Sequence, residues 1–240
     1  MPQNKREAEQ GNVFLIILMG IILFAALSFS ISRGMRSDNT SNLSNQEAAL
    51  AAGDLVAHAQ KIERAVNKMR SKGVSENDIS FENNIVGTYT NPNCADDSCK
   101  VFHPGGGRIS FRSANDFISS LTTNFEFNGS NRFATFGCET QTLQCSELVL
   151  YLNMNETPEV CLKINDLAGI DNPSDDAPQL REWIAAPDFV GTYTNSPVEL
   201  VGGANATTEA PEVNGKVTGC VYEYSGGQDT YRFYYILIAR

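Results

Sequence analysis

Histidine and tryptophan are almost missing from this chain, with two His and one Trp among 240 residues. With only His58 and His103 present, a histidine-rich metal centre is excluded. No Cys-x-x-Cys pair occurs, which removes the usual zinc spacing. Nor is there a Gly-x-Ser-x-Gly elbow, a His-Glu-x-x-His helix or a phosphate-cradling glycine loop. His103 stands in a glycine turn ahead of Pro104, with no nucleophile at a fixed spacing from it. The chain is therefore expected not to be an enzyme, and no catalytic or cofactor-binding residue is assigned. Positive charge is scarce as well: 18 Lys and Arg stand against 28 Asp and Glu, for a net charge of −10. Lys5, Arg6, Arg33 and Arg36, against Glu7 and Glu9, put +2 ahead of residue 37, so the remainder carries −12. Phosphate binding needs a basic stripe, so no nucleic-acid partner is expected.

What the chain does have is one long apolar run. Val13 to Ile31 reads VFLIILMGIILFAALSFSI, without a charge. At ~1.5 Å per residue, a helix of that length just matches a hydrocarbon core of roughly 30 Å. Basic residues flank both ends, so charge alone does not orient it. All six cysteines follow the run, and an even set on one side implies an oxidising compartment. The expectation is a single-pass protein whose body lies outside the cytoplasm. A cleaved signal peptide, with small residues at Ala25, Ala26, Ser28 and Ser30, and a buried core helix are the alternatives. A lipoprotein signal is rejected, because the first cysteine is Cys94.

The rest of the chain divides by pattern. The expected division is a transmembrane helix over 12–32, a polar break over 33–43, an amphipathic helix over 44–72 and an extracytoplasmic α+β head over 73–240, with residues 1–11 ahead of them as the leader that the resemblance given below implies. Ser44-Asn45-Gln46-Glu47 has the form of a capping box, and Gly73 follows as a stop. Leu55, Ile62 and Met69 recur every seven residues with Ala59 and Val66 between them, one apolar stripe. His58 lies in that helix without ligand partners at helical spacing.

In the head, Lys100–Phe102 and Arg108–Arg112 are expected as strands joined across Pro104-Gly105-Gly106-Gly107. Ser113 is expected to cap a short helix. Arg132–Cys138 and Glu147–Leu152 are expected as a strand pair. Thr157-Pro158-Glu159 opens a helix that Gly169 ends, and Leu180–Ala186 is expected as a short helix. Lys216–Tyr224 and Thr230–Ala239 read as a hairpin, with the last strand apolar on both faces and so central. The pentapeptide Gly-Thr-Tyr-Thr-Asn occurs at Gly87 and again at Gly191, which is read as shared turn chemistry or coincidence. Asn128, Asn155 and Asn205 sit in Asn-x-Ser/Thr triplets.

Six cysteines allow 15 pairings. Local spacing favours Cys94 with Cys99 and Cys138 with Cys145, leaving Cys161 with Cys220. Asp171, Asp175 and Asp176 offer oxygen ligands to calcium; the plainer reading is an acidic, turn-forming loop.

A short leader ending in Gly11, an apolar helix that begins at once, and an amphipathic helix leading into a head together resemble the type IV pilins and the pseudopilins of type II secretion. His103–Gly107 (HPGGG) and Cys161–Ile170 (CLKINDLAGI) are similar to segments of bacterial pilin-like proteins. The resemblance implies a long N-terminal helix, membrane anchor plus amphipathic half, packed on an antiparallel sheet with disulfides. It also implies cleavage between Gly11 and Asn12 by a prepilin peptidase, with methylation of the new amino terminus. The chain would then lie in the bacterial inner membrane as a single-pass protein, its head in the periplasm or on the cell surface. Its partners would be the membrane, the peptidase and other pilin-like subunits. In that family the fifth mature residue is glutamate, whereas here it is Ile16, a departure that minor subunits share. Some pseudopilins carry a calcium loop, which bears on Asp171 to Asp176. The expected function is a structural subunit that assembles through its N-terminal helix into a pilus or a secretion pseudopilus. The alternative is a membrane-anchored binding module that forms no filament.

Overall fold

Helix α1 spans Gln10–Ser71. The computed structural model describes residues 10–133, 146–155, 157–180, 187–194, 198–201, 210–225 and 228–240. The chain divides into two compact units, Met1–Glu47 and Ala48–Arg240. In the second, the apolar stripe of α1 does what its spacing demands: Leu55, Ala59, Ile62 and Val66 are fully buried and Met69 nearly so. Ser44 lies inside α1 and is not an N-cap. The helix ends in a Schellman motif. Gly73, at φ 93°, donates its N–H to the Arg70 carbonyl, and the Val74 N–H reaches back to the Met69 carbonyl.

The stripe packs over a six-stranded sheet. Its strands are β1 (Phe125–Phe133), β2 (Glu147–Asn155), β3 (Gln179–Leu180), β4 (Val198–Val201), β5 (Thr218–Ser225) and β6 (Gln228–Ile238). They lie in the order β3-β5-β6-β2-β1-β4. Side chains alternate along the central strands, as a pleat requires. Leu148, Leu150, Leu152, Phe233, Tyr235 and Leu237 join the core beneath α1. Val149, Tyr151, Tyr234 and Ile236 enter a second core with Ile170, Leu180 and Val213. Strands buried on both faces belong in the middle of a sheet, and β6 lies between β5 and β2. Across the first core, the Tyr235 hydroxyl donates to the Glu63 carboxylate of α1 at 2.9 Å.

The α+β content stands, but the expected architecture is corrected in two respects. The sheet is mixed, not antiparallel: β4 runs parallel to β1 and β3 parallel to β5. Both parallel partners arrive from distant segments, which hairpin signals do not report. Second, no helix among the described residues is long and apolar enough to cross a membrane. The single-pass inner-membrane placement, with its transmembrane helix and its head in the periplasm or on the cell surface, is corrected with it.

Local differences also occur. Residues 100–112 form turns joined to the fold by one parallel bridge, Ser80 to Lys100, not a hairpin. Ser113 precedes a single 3-10 turn, Ala114–Asp116, and bonds Asn115 instead of the backbone. Helix α2 (Pro158–Ala168) begins and ends where expected, but the Thr157 hydroxyl donates backward to the Met154 carbonyl and does not cap. Leu180 is in β3; the remainder of the helix expected there, and Cys138 and Cys145, fall outside the described residues. Strand β1 starts at Phe125, ahead of the expected Arg132.

Candidate functional site

The disulfides Cys94–Cys99 and Cys161–Cys220 are both present, the first favoured by local spacing and the second the pair left over from the local pairings. The second binds α2 to β5, and beside it Asn165 makes the same junction by hydrogen bonds. Its amide donates to the Cys220 carbonyl at 2.9 Å and its carbonyl accepts the Cys220 N–H at 2.8 Å. A fully buried asparagine thus acts as a short stretch of strand partner. At the far end of α2, Gly169 takes φ 63°, and the Lys216 ammonium bonds the last carbonyls, Ala168 and Gly169. A cation there complements the helix dipole.

The first disulfide stiffens one wall of a cleft. The cleft, of about 510 Å³, is lined by Glu82, Asn83, Asn84, Lys100, Phe102, His103, Ser110 and Phe111. A second hollow of about 370 Å³ shares Phe102 and Ser110 with it and continues to Pro104, Arg108 and Ile109. The glycines here are forced by close approach: a Cβ on Gly106 would lie 2.1 Å from the Lys100 carbonyl oxygen, and one on Gly107 2.3 Å from that of Val101. Gly107 instead donates its N–H to the Lys100 carbonyl. The next residue, Arg108, is held at φ 62°, a region that non-glycine residues enter at a cost. Phe102 and Phe111 meet edge to face at 5.1 Å. Lys100 bridges Asp97 at 3.2 Å and Glu82 at 3.6 Å, and the Asp97 hydrogen bond raises its pKa, with the Glu82 charge adding to it. His103 accepts the Gly105 N–H on Nδ1 and turns Nε2 toward Asp97 at 3.6 Å.

A second feature lies in the first unit. Ile17, Leu18, Met19, Ile21, Ile22 and Leu23 of α1 are each between 48% and 65% exposed. Consecutive residues of a helix point all round its axis, so no face of this stretch is covered.

His58 and Glu147 are buried titratable groups away from the cleft. His58 is 4% exposed and tilts against Phe117 and Phe125 at 5.1 and 5.4 Å. Its Nε2 has no hydrogen-bond partner among the described residues. Burial, with Arg112 adding to it, lowers its pKa to about 4. Glu147 is fully buried at the start of β2. One oxygen accepts the Phe133 N–H at 2.9 Å, and burial pushes its pKa up to about 8 in spite of that bond and of Arg132.

The other sequence candidates do not converge. Asp171 and Asp175 are exposed, while Asp176 accepts from the Tyr231 hydroxyl and the Ala177 N–H. Among the described residues no group of three or more His, Cys, Asp or Glu could hold a metal ion. Gly11 and Asn12 fall in the first turn of α1, where no side chains are described. Asn128 is buried and bonded to Asn131, so its triplet is not an open glycosylation site.

The two pentapeptide copies meet in space. Gly191, at φ 86°, leaves room for Asn91, whose side-chain oxygen would lie 2.5 Å from a Cβ there. Tyr89 and Tyr193 are both buried, and each copy bonds β1: the Tyr89 hydroxyl accepts the Phe127 N–H, and Thr194 donates to the Gly129 carbonyl. The sequence signalled the turn through its glycine run but not the cleft, since Glu82 and Asn84 reach it only through the tertiary fold. No family model, curated protein or solved structure matches the chain.

Proposed function

We propose that this chain is a structural subunit of pilin-like type, assembling through α1 with other pilin-like subunits into a pilus or a secretion pseudopilus. One observation carries the reading: the exposed, all-round apolar stretch from Ile17 to Leu23. Each such side chain gains roughly 1.5–3 kcal/mol when it leaves water. Packing against like helices covers every face of the stretch at once, which one partner on one side does not. The leader Gly11 followed directly by the apolar run supports the same reading, with a prepilin peptidase acting between Gly11 and Asn12. No chemistry is asked of the head.

The test is the amino terminus of the protein from its native source, by intact mass and terminal sequencing. A chain that starts at Asn12 with a methylated amine is expected; an unprocessed Met1 would overturn the proposal. A second readout is assembly of the full chain, by cross-linking. Ile21→Asp with Leu18→Asp is expected to abolish assembly without moving the head's unfolding transition.

A further inference from the structure

We propose that the cleft between residues 82–84 and 100–111 is a binding site for a neutral saccharide. This does not rest on the assembly reading, since it concerns side chains of the second unit alone.

Four observations lead there. The volume, about 510 Å³ with a further 370 Å³ alongside, lies in the range of small-molecule sites, roughly 300–1,000 Å³. The lining pairs apolar faces with hydrogen-bonding groups. Phe102 and Phe111 are only partly buried and offer phenyl surface to the C–H face of a pyranose. Asn84 and Ser110 are exposed, and their side chains make no hydrogen bond among the described residues. An amide and a hydroxyl both donate and accept, which is the pattern that sugar hydroxyls require.

The charge balance selects among ligands. The chain is strongly acidic overall, but around the cleft Lys100 and Arg108 stand against Glu82 and Asp97. Lys100 is already bridged to both acids, and Arg108 folds its Nε onto the Pro104 carbonyl at 3.1 Å. The cleft therefore has no net charge to attract an anion or a cation. Finally, one wall is fixed in advance. The Cys94–Cys99 bond closes the loop just ahead of Lys100, and Gly106 and Gly107 pack their backbone directly against the Lys100 and Val101 carbonyls. A rigid wall lowers the ordering cost of binding a small ligand, and backbone strain kept in a surface turn is common at ligand sites.

The test is a glycan array probed with the full chain, followed by titration of the best neutral oligosaccharide against variants. Binding to at least one neutral glycan is expected. Phe102→Leu is expected to weaken it at least tenfold. Asn84→Ala and Ser110→Trp, both at exposed positions that the fold does not use, are expected to weaken and to block it. Each variant's thermal transition is recorded, so that a misfolded Phe102 variant does not decide the matter; the two exposed-site variants do. Three results would overturn the proposal: no neutral glycan bound, binding of sulfated or carboxylated glycans only, or neutral binding that survives both Asn84→Ala and Ser110→Trp.

Discussion

Replacing Glu147 with Gln is expected to raise stability at pH 8 and to leave it nearly unchanged at pH 5. In the fold the Glu147 carboxyl keeps its proton to about pH 8, against an ordinary value of 4.5. Its contribution to stability is therefore complete below pH 4.5 and is lost as pH rises through 8. Each unit of that window is worth ~1.36 kcal/mol, so the difference between variant and parent grows by about 3–4 kcal/mol from pH 5 to pH 8. Gln mimics the protonated acid and retains an oxygen for the Phe133 N–H. His58 has the opposite sign. Its pKa is lowered from 6.5 to about 4, so its contribution is complete above pH 6.5 and is lost as pH falls toward 4, by up to ~3 kcal/mol. Between pH 4.5 and 6.5 the two slopes oppose, and the parent protein is expected to show little change from this pair. The Glu147→Gln variant uncovers the His58 slope, and adding His58→Leu flattens it again. Urea unfolding followed by circular dichroism at half-unit pH steps measures this, and the difference between curves cancels other groups. Parallel curves for parent and Glu147→Gln from pH 5 to 8 would refute the buried, protonated carboxyl.

The two described disulfides are expected to differ in weight. In the chain-entropy model, loss of Cys161–Cys220, at a sequence separation of 59, costs about 4 kcal/mol, and loss of Cys94–Cys99, at a separation of 5, costs about 2 kcal/mol; paired Cys→Ser variants in denaturant check the order. With the disulfides intact, Asn165→Ala leaves the buried Cys220 N–H and carbonyl short of two bonds and is expected to cost about 3 kcal/mol, measured by the shift in urea midpoint. Gly191→Ala places a Cβ 2.4 Å from the Asn77 carbonyl oxygen at φ 86°, and a loss of about 2–4 kcal/mol is expected. An unchanged thermal midpoint there would mean that the two pentapeptides do not meet as described.

The parts of the fold that were legible in the sequence are those set by neighbours in the chain. Leu55, Ile62 and Met69 read as one buried face because helical spacing alone aligns them, and Gly73 and Gly169 read as stops because only glycine enters the left-handed region cheaply. The β5–β6 hairpin was legible for the same reason. Legibility ended wherever a distant segment decided the outcome. The parallel pairings of β3 and β4 carry no local mark. The glycines after Pro104 suggested a hairpin turn, yet Gly106 and Gly107 are needed because the chain folds onto its own Lys100 and Val101 carbonyls. The apolar run at 13–31 was read as a membrane span, whereas no helix among the described residues is long and apolar enough to cross a membrane. Composition names the need for a partner, not the partner. The sites most open to function follow the same logic. Asn84 and Ser110 are unremarkable in sequence, and they become a candidate pair only because the fold brings both to the hollow that Phe102 lines. Exposed polar side chains satisfied by water cost the fold nothing, and beside half-buried aromatic rings they leave hydrogen-bonding capacity that a ligand can take over.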